Sequence, residues 1–144
     1  MSRDRISGRV VAASLVVDAA LVIAFTALGR RTHDDGDVLG PGGLGLAQTA
    51  WPFLAALLVG WVLSRAWRRP LAALRSGLPI WITTVVVGLL FRLVSGQGIA
   101  PAFIVVATLT LAILLLGWRA IATPVARRRR RRTSSAGVNH PAGG

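Results

Sequence analysis

Residues 99–118 read IAPAFIVVATLTLAILLLGW, a block without a single charged side chain. A helix needs roughly 20 apolar residues to cross the hydrocarbon core of a bilayer, and this block supplies them. The chain around it repeats the pattern three times. Residues 78–94 (LPIWITTVVVGLLFRLV) are joined to the block by the short segment SGQG at 95–98, which predicts an antiparallel hairpin. Pro79, following Ser76 or Gly77, marks the start of that helix. Its β-branched run at 82–87 would suit a strand in water, but a lone strand leaves backbone groups unpaired in lipid, so a spanning helix is expected. Further back, residues 50–67 (AWPFLAALLVGWVLSRAW) form another block, with Thr49 expected as its N-cap and Pro52 in its first turn. Residues 10–28 (VVAASLVVDAALVIAFTAL) form the first, behind the basic stretch MSRDRISGR. The length of this block, Asp18 at its centre and the lack of an A-x-A site before Gly29 favour a retained helix over a cleaved signal peptide.

Composition agrees with a membrane protein. The chain has 144 residues, of which 53% are hydrophobic and only 15% charged, where a soluble domain carries about a quarter. Its charge is lopsided: 17 arginines, no lysine, five aspartates and no glutamate, for a net +12. Cysteine is absent, which excludes disulfide scaffolds, thiolate metal sites and cysteine nucleophiles. The expected fold is therefore all-α and integral to the membrane, with four transmembrane helices in a bundle. A transmembrane domain at 1–121 is followed at 122–144 by a disordered, Arg-rich tail, whose sequence offers little apolar surface to bury.

The arginines also predict an orientation. With the N-terminus in the cytoplasm, fourteen arginines fall on the inner side and three on the outer, and the loop after the first helix is acidic through Asp34, Asp35 and Asp37. The positive-inside rule then places both termini in the cytoplasm of a multi-pass plasma-membrane protein. Trp51 falls at the outer end of its helix, and Trp67, Trp81 and Trp118 at inner ends, where indoles sit among headgroups. Trp61 is the exception, about two turns deeper than Trp67.

Asp18 is the most informative residue. It lies eight positions into its block, roughly 12 Å deep, where a carboxylate is costly unless paired, protonated or hydrated. Ser14 sits one turn away on the same face. Three readings stand: a proton or cation relay, a buried contact that holds helices together, or a protonated carboxyl bonded to a neighbouring helix. Arg92 is the expected partner. By helical rise it lies roughly 21 Å from the inner face, about 9 Å from the depth of Asp18, a gap that a long side chain and helix tilt can narrow. Thr84, Gly88 and Arg92 share one helix face suited to another helix. The plainer alternative has Arg92 extending outward to the headgroups.

Ala56, Gly60 and Ser64 recur at four-residue spacing, a small-residue pattern that lets helices approach closely, either within the bundle or between two copies. His33 with Asp34, Asp35 and Asp37 is weighed as a metal site and set aside, because a Gly-rich loop fixes no geometry; no metal and no cofactor is expected. Arg127, Arg128, Arg129, Arg130, Arg131 and Arg132 are read as a topology anchor in contact with anionic lipids, each contributing about 1 kcal/mol. Nucleic acid is not expected as a partner, since no aromatic or base-reading residues accompany the run. No catalytic motif is present, whether phosphate loop or nucleophile elbow, so no enzyme is expected.

Taken in order, GRRTHDDG, TAWPF, RPLAALRSGL, WITTVVVGLLFRLVSGQG and FIVVATLTLAILLLGWRA resemble domain-of-unknown-function family 3054, small membrane proteins best known from high-GC bacteria. The resemblance covers roughly residues 10–121 and implies four spanning helices and a bacterial source; it brings no activity and no catalytic residues. Two function classes follow from the residues. One is an accessory or assembly subunit, working with a membrane-protein partner or as a homo-oligomer. The other is a small homo-oligomeric transporter or channel with Asp18 and Arg92 lining a polar path.

Overall fold

A computed structural model describes residues 7–33 and 38–136. Four helices carry the chain: α1 (Gly8–His33), α2 (Gly45–Ser64), α3 (Leu78–Val94) and α4 (Pro101–Ala136). With the short helical turns that precede α2 and α3 included, the segments Gly8–Thr32, Pro41–Ser64, Ala73–Val94 and Pro101–Ala126 are long and apolar enough to cross a membrane. The protein is a multi-pass membrane protein of all-α fold. Its bundle has two ends. The terminal end holds the start of α1, the 65–77 connection and the end of the α4 span. The loop end holds the 38–44 and 95–100 connections.

Several boundaries differ from expectation. Helix α1 continues through Gly29 and Arg30 to His33, because nothing in that stretch breaks a helix. Helix α2 starts at Gly45, so Thr49 lies inside it and donates its hydroxyl to the Gly45 carbonyl instead of capping. Pro52 is thus an interior residue. Its missing N–H removes the bond to Gln48 one turn back. The freed Gln48 carbonyl accepts instead from Gln97 Nε2 at 3.0 Å, which ties α2 to the hairpin turn. Helix α2 stops at Ser64 because Arg65 turns left-handed (φ 48°), and its N–H returns to the carbonyls of Trp61 and Val62. Helix α3 keeps the expected span and is preceded by a π-helical turn, Ala73–Gly77. Helix α4 runs on to Ala136, where disorder was expected from residue 122. Arginine is a good helix former, and the stretch after Pro124 contains no glycine or proline until Ala136 is passed.

Packing follows the helical period. On α1 the buried positions are Ser14, Asp18, Val22, Phe25 and Thr26; on α4 they are Ala107, Leu111, Leu115 and Arg119. Helices α2 and α3 make the most extensive pairing. Gly60 allows it: a Cβ there would lie 3.1 Å from the Ile80 Cα. Toward the loop end, Phe25, Phe53 and Phe103 form an aromatic cluster, with Phe25 edge-on to Phe53 at 5.5 Å. Gly88 faces this cluster, and a Cβ on it would lie 2.6 Å from Phe53 Cδ1. The outward faces are apolar, with Val16, Leu58, Leu63, Val105, Leu109 and Ile113 among the exposed side chains. That surface suits lipid tails rather than water.

Candidate functional site

The buried stripe of α1 carries one acid, and the buried stripe of α4 ends on one base. Both Asp18 and Arg119 are fully buried. Arg119 Nη2 lies 2.6 Å from Asp18 Oδ2, and Arg119 Nη1 donates to Asp18 Oδ1 at 2.8 Å, a two-pronged pair. Two indoles complete the carboxylate. Trp61 Nε1 donates to Oδ2 at 2.8 Å and Trp118 Nε1 to Oδ1 at 2.9 Å. Each carboxylate oxygen therefore accepts two bonds, all from N–H donors. In this pattern Asp18 acts only as an acceptor, in a buried contact that holds helices together.

The base is equally occupied. Arg119 Nε donates to the Pro70 carbonyl at 3.0 Å, and Nη1 also reaches the Leu115 carbonyl at 2.8 Å. The Pro70 carbonyl arrives because the 65–77 connection folds back under the bundle, burying Ala66, Pro70 and Ser76. Gly77 makes room for the arginine stem; a Cβ there would meet Arg119 Cδ at 2.9 Å. A buried ion pair offsets its desolvation only when geometry is good and the remaining donors and acceptors are satisfied. Here both conditions are met, and the result joins α1, α2, α4 and the α2–α3 connection at one point.

Arg92 is not the partner of Asp18, contrary to the sequence-based expectation. Its guanidinium donates to Gln97 Oε1 at 3.0 Å and lies 4.5 Å from the centre of the Phe103 ring. Phe103 and Arg119 are sixteen residues apart on α4, so the two clusters stand roughly 24 Å apart along the helix. Gln97, a turn residue close in sequence, accepts from Nη1 and Nη2 of Arg92, the phenylalanine face supplies a cation–π contact, and Arg92 Nε is buried without a partner among the described residues. Arg92 and Asp18 thus do not share a polar path within the bundle.

The remaining candidates are placed as follows. Ser14 is buried one turn from Asp18, but its hydroxyl donates to the Val10 carbonyl at 2.8 Å. Thr84 is fully buried on α3, and its hydroxyl meets no partner among the described residues. Ala56 and Gly60 lie buried inside the bundle, Gly60 against α3, and Ser64 Oγ donates to the Gly60 carbonyl. Of the six arginines from Arg127 to Arg132, Arg128 alone has a described side chain, and it is exposed; the other five side chains lie outside the description. So do the side chain of His33 and residues Asp34, Asp35 and Asp37.

Sequence reasoning missed Arg119, Trp61 and Trp118 as a set. Two signals were available. Trp61 sat too deep for a headgroup indole, and an indole N–H at that depth needs an acceptor. Arg119 continues the four-residue spacing of Ala107, Leu111 and Leu115, yet it was counted as a loop charge because it follows the apolar block. Trp81 likewise points inward, donating to the Thr108 carbonyl at 3.0 Å.

No curated protein and no solved structure matches the chain. A family model described as "Protein of unknown function (DUF3054)" matches residues 15–122, a segment that opens just before Asp18 and closes just after Arg119. The chain belongs to that family.

Proposed function

We propose that this protein is a non-enzymatic accessory or assembly subunit of a bacterial plasma membrane, with both termini in the cytoplasm. The observation that carries the proposal is the saturation of Asp18. Its four acceptor positions are filled by Arg119, Trp61 and Trp118, so the acid at membrane depth fastens helices together. With its internal charges engaged in this way, the bundle offers its apolar outer faces and its basic terminal end to other molecules. Those faces fit a membrane-protein partner or a second copy, and the arginines from Arg127 to Arg132 fit anionic headgroups.

Extraction of the tagged protein from its native membrane in mild detergent, followed by native mass determination, tests the role. A single membrane protein present at a fixed ratio is the expected result. A homo-oligomer that conducts ions or solutes in liposomes refutes it. A reporter active only outside the cytoplasm, fused after Gly144, should be silent; an active fusion refutes the orientation.

A further inference from the structure

The 69–75 segment and α4 border an open, shallow cleft of about 540 Å³ just beyond Arg119, at the terminal end of the bundle. We propose that this cleft binds the phosphate-bearing headgroup of an anionic phospholipid. It stands apart from the arginine run after Ala126 and does not depend on which leaflet the terminal end occupies.

Charge is the first argument. Arg69 and Arg75 line the cleft, and both are exposed. Among the described residues Asp18 is the only carboxylate, and it is enclosed by Arg119. The two guanidiniums therefore face outward with their donors available, and guanidinium is the side chain best matched to phosphate oxygens. Size is the second. The volume falls within the usual range of about 300–1,000 Å³ for small-ligand sites.

The third argument is preorganisation. Three consecutive carbonyls, that of Arg69, which lines the cleft, and those of Pro70 and Leu71 next in the chain, are met by side chains. Ser76 Oγ donates to Arg69 and Arg119 Nε to Pro70, while the single Thr123 hydroxyl proton is shared between the Leu71 and Arg119 carbonyls, each 2.7 Å away. Thr123 itself lines the cleft. The backbone that carries Arg69 is thus fixed before any ligand arrives, which lowers the ordering cost of binding.

The fourth argument separates a lipid from a free anion. The rest of the lining is apolar: Ala72, Ala73, Leu74, Ala120 and Pro124. Leu74 is 78% exposed beside the two arginines. Trp67, half-exposed on the same connection, is suited to the headgroup zone. A basic mouth over an apolar flank at that level matches an amphiphile, with phosphate at Arg69 and Arg75 and the glycerol and upper acyl chain along Leu74.

The test uses the full chain in mild detergent, titrated with phosphatidylglycerol or phosphatidylcholine, with bound lipid read by native mass spectrometry. Wild type should retain phosphatidylglycerol preferentially. The double variant Arg69→Gln/Arg75→Gln should bind it roughly thirtyfold more weakly, from two lost arginine–headgroup attractions. Ala73→Trp, which fills the cleft and keeps both charges, should also lose the preference. Arg65→Gln/Arg128→Gln removes the same charge outside the cleft and should bind as wild type does. Helicity by circular dichroism checks that each variant is folded. Equal losses in the two double variants, or full retention by Ala73→Trp, overturn the proposal. Glycerol phosphate binding as tightly as the lipid overturns the assignment to a lipid in favour of a soluble anion.

Discussion

Replacing Asp18 with Asn keeps the shape of the side chain and removes its charge. The consequences can be worked from the contacts. Asp18 accepts from Arg119 twice and from Trp61 and Trp118 once each. An Asn amide keeps one acceptor oxygen and turns an NH₂ group toward two of those donors, so at least two bonds are lost. Hydrogen bonds between membrane helices average only about 0.6 kcal/mol each, so all four amount to about 2.4 kcal/mol. The larger part comes from Arg119, left as a buried cation with no counter-charge, only the Pro70 and Leu115 carbonyls and the Trp118 ring face. Removing one partner of a buried pair costs about 3–5 kcal/mol, and that is the expected loss for Asp18→Asn. Arg119→Met should cost a similar amount, because it strands the carboxylate. The double variant Asp18→Asn/Arg119→Met should recover most of the loss. Reversible unfolding in mild detergent, or steric trapping in bilayers, gives the four free energies of the cycle. A coupling energy below about 0.5 kcal/mol, the usual scatter for independent sites, refutes the reasoning. Arg92→Gln in the same cycle should be additive with Asp18→Asn; strong coupling there would restore the pairing expected from sequence.

Three further outcomes follow. Gly88→Ala gains up to about 1 kcal/mol of helix propensity but drives a methyl into Phe53 Cδ1, so a net loss of about 1–2 kcal/mol is expected in the same unfolding assay; adding Phe53→Leu should relieve it. Gly60→Leu must push α3 away at Ile80, and a loss of about 1–3 kcal/mol is expected; unchanged stability would place that face outside the bundle contact. Trp61→Phe removes one donor and part of the buried ring, so beside a packing loss that persists in any background, about 0.6 kcal/mol of the loss should disappear in the Asp18→Asn background.

The four spans were legible because hydrophobic length is a bulk property of the sequence, and the α3 boundaries at Leu78 and Val94 followed from Pro79 and the SGQG turn. Helix ends elsewhere were not. Pro52 reads as a first-turn residue, but the bilayer-facing stretch before it has enough helix-compatible residues to start at Gly45, with Gln97 satisfying the carbonyl that proline leaves free. Asp18 was recognisable as a residue needing a partner, from depth alone. The identity of the partner was not, because depth was estimated from the ends of apolar blocks and Arg119 lay just outside one. A long side chain reaches back into the bundle by several ångströms, so an arginine at the edge of a block can serve an acid well inside it. Arg92 sat at a similar apparent distance and was captured instead by Gln97 and Phe103, a local solution that a linear reading of depth does not reveal.

The Asp18–Arg119 pair spans 101 residues of chain and joins α1 to α4. At synthesis rates of about 5–20 residues per second, Asp18 waits roughly 5–20 s before its cation exists. During that interval α1 carries an acid at membrane depth with no arginine opposite it, and the Trp61 indole emerges first as an interim donor. A chain that ends before Arg119 never resolves this state. The contact that joins α1, α2 and α4 at Asp18 is therefore the last to become available, because it needs a residue of α4.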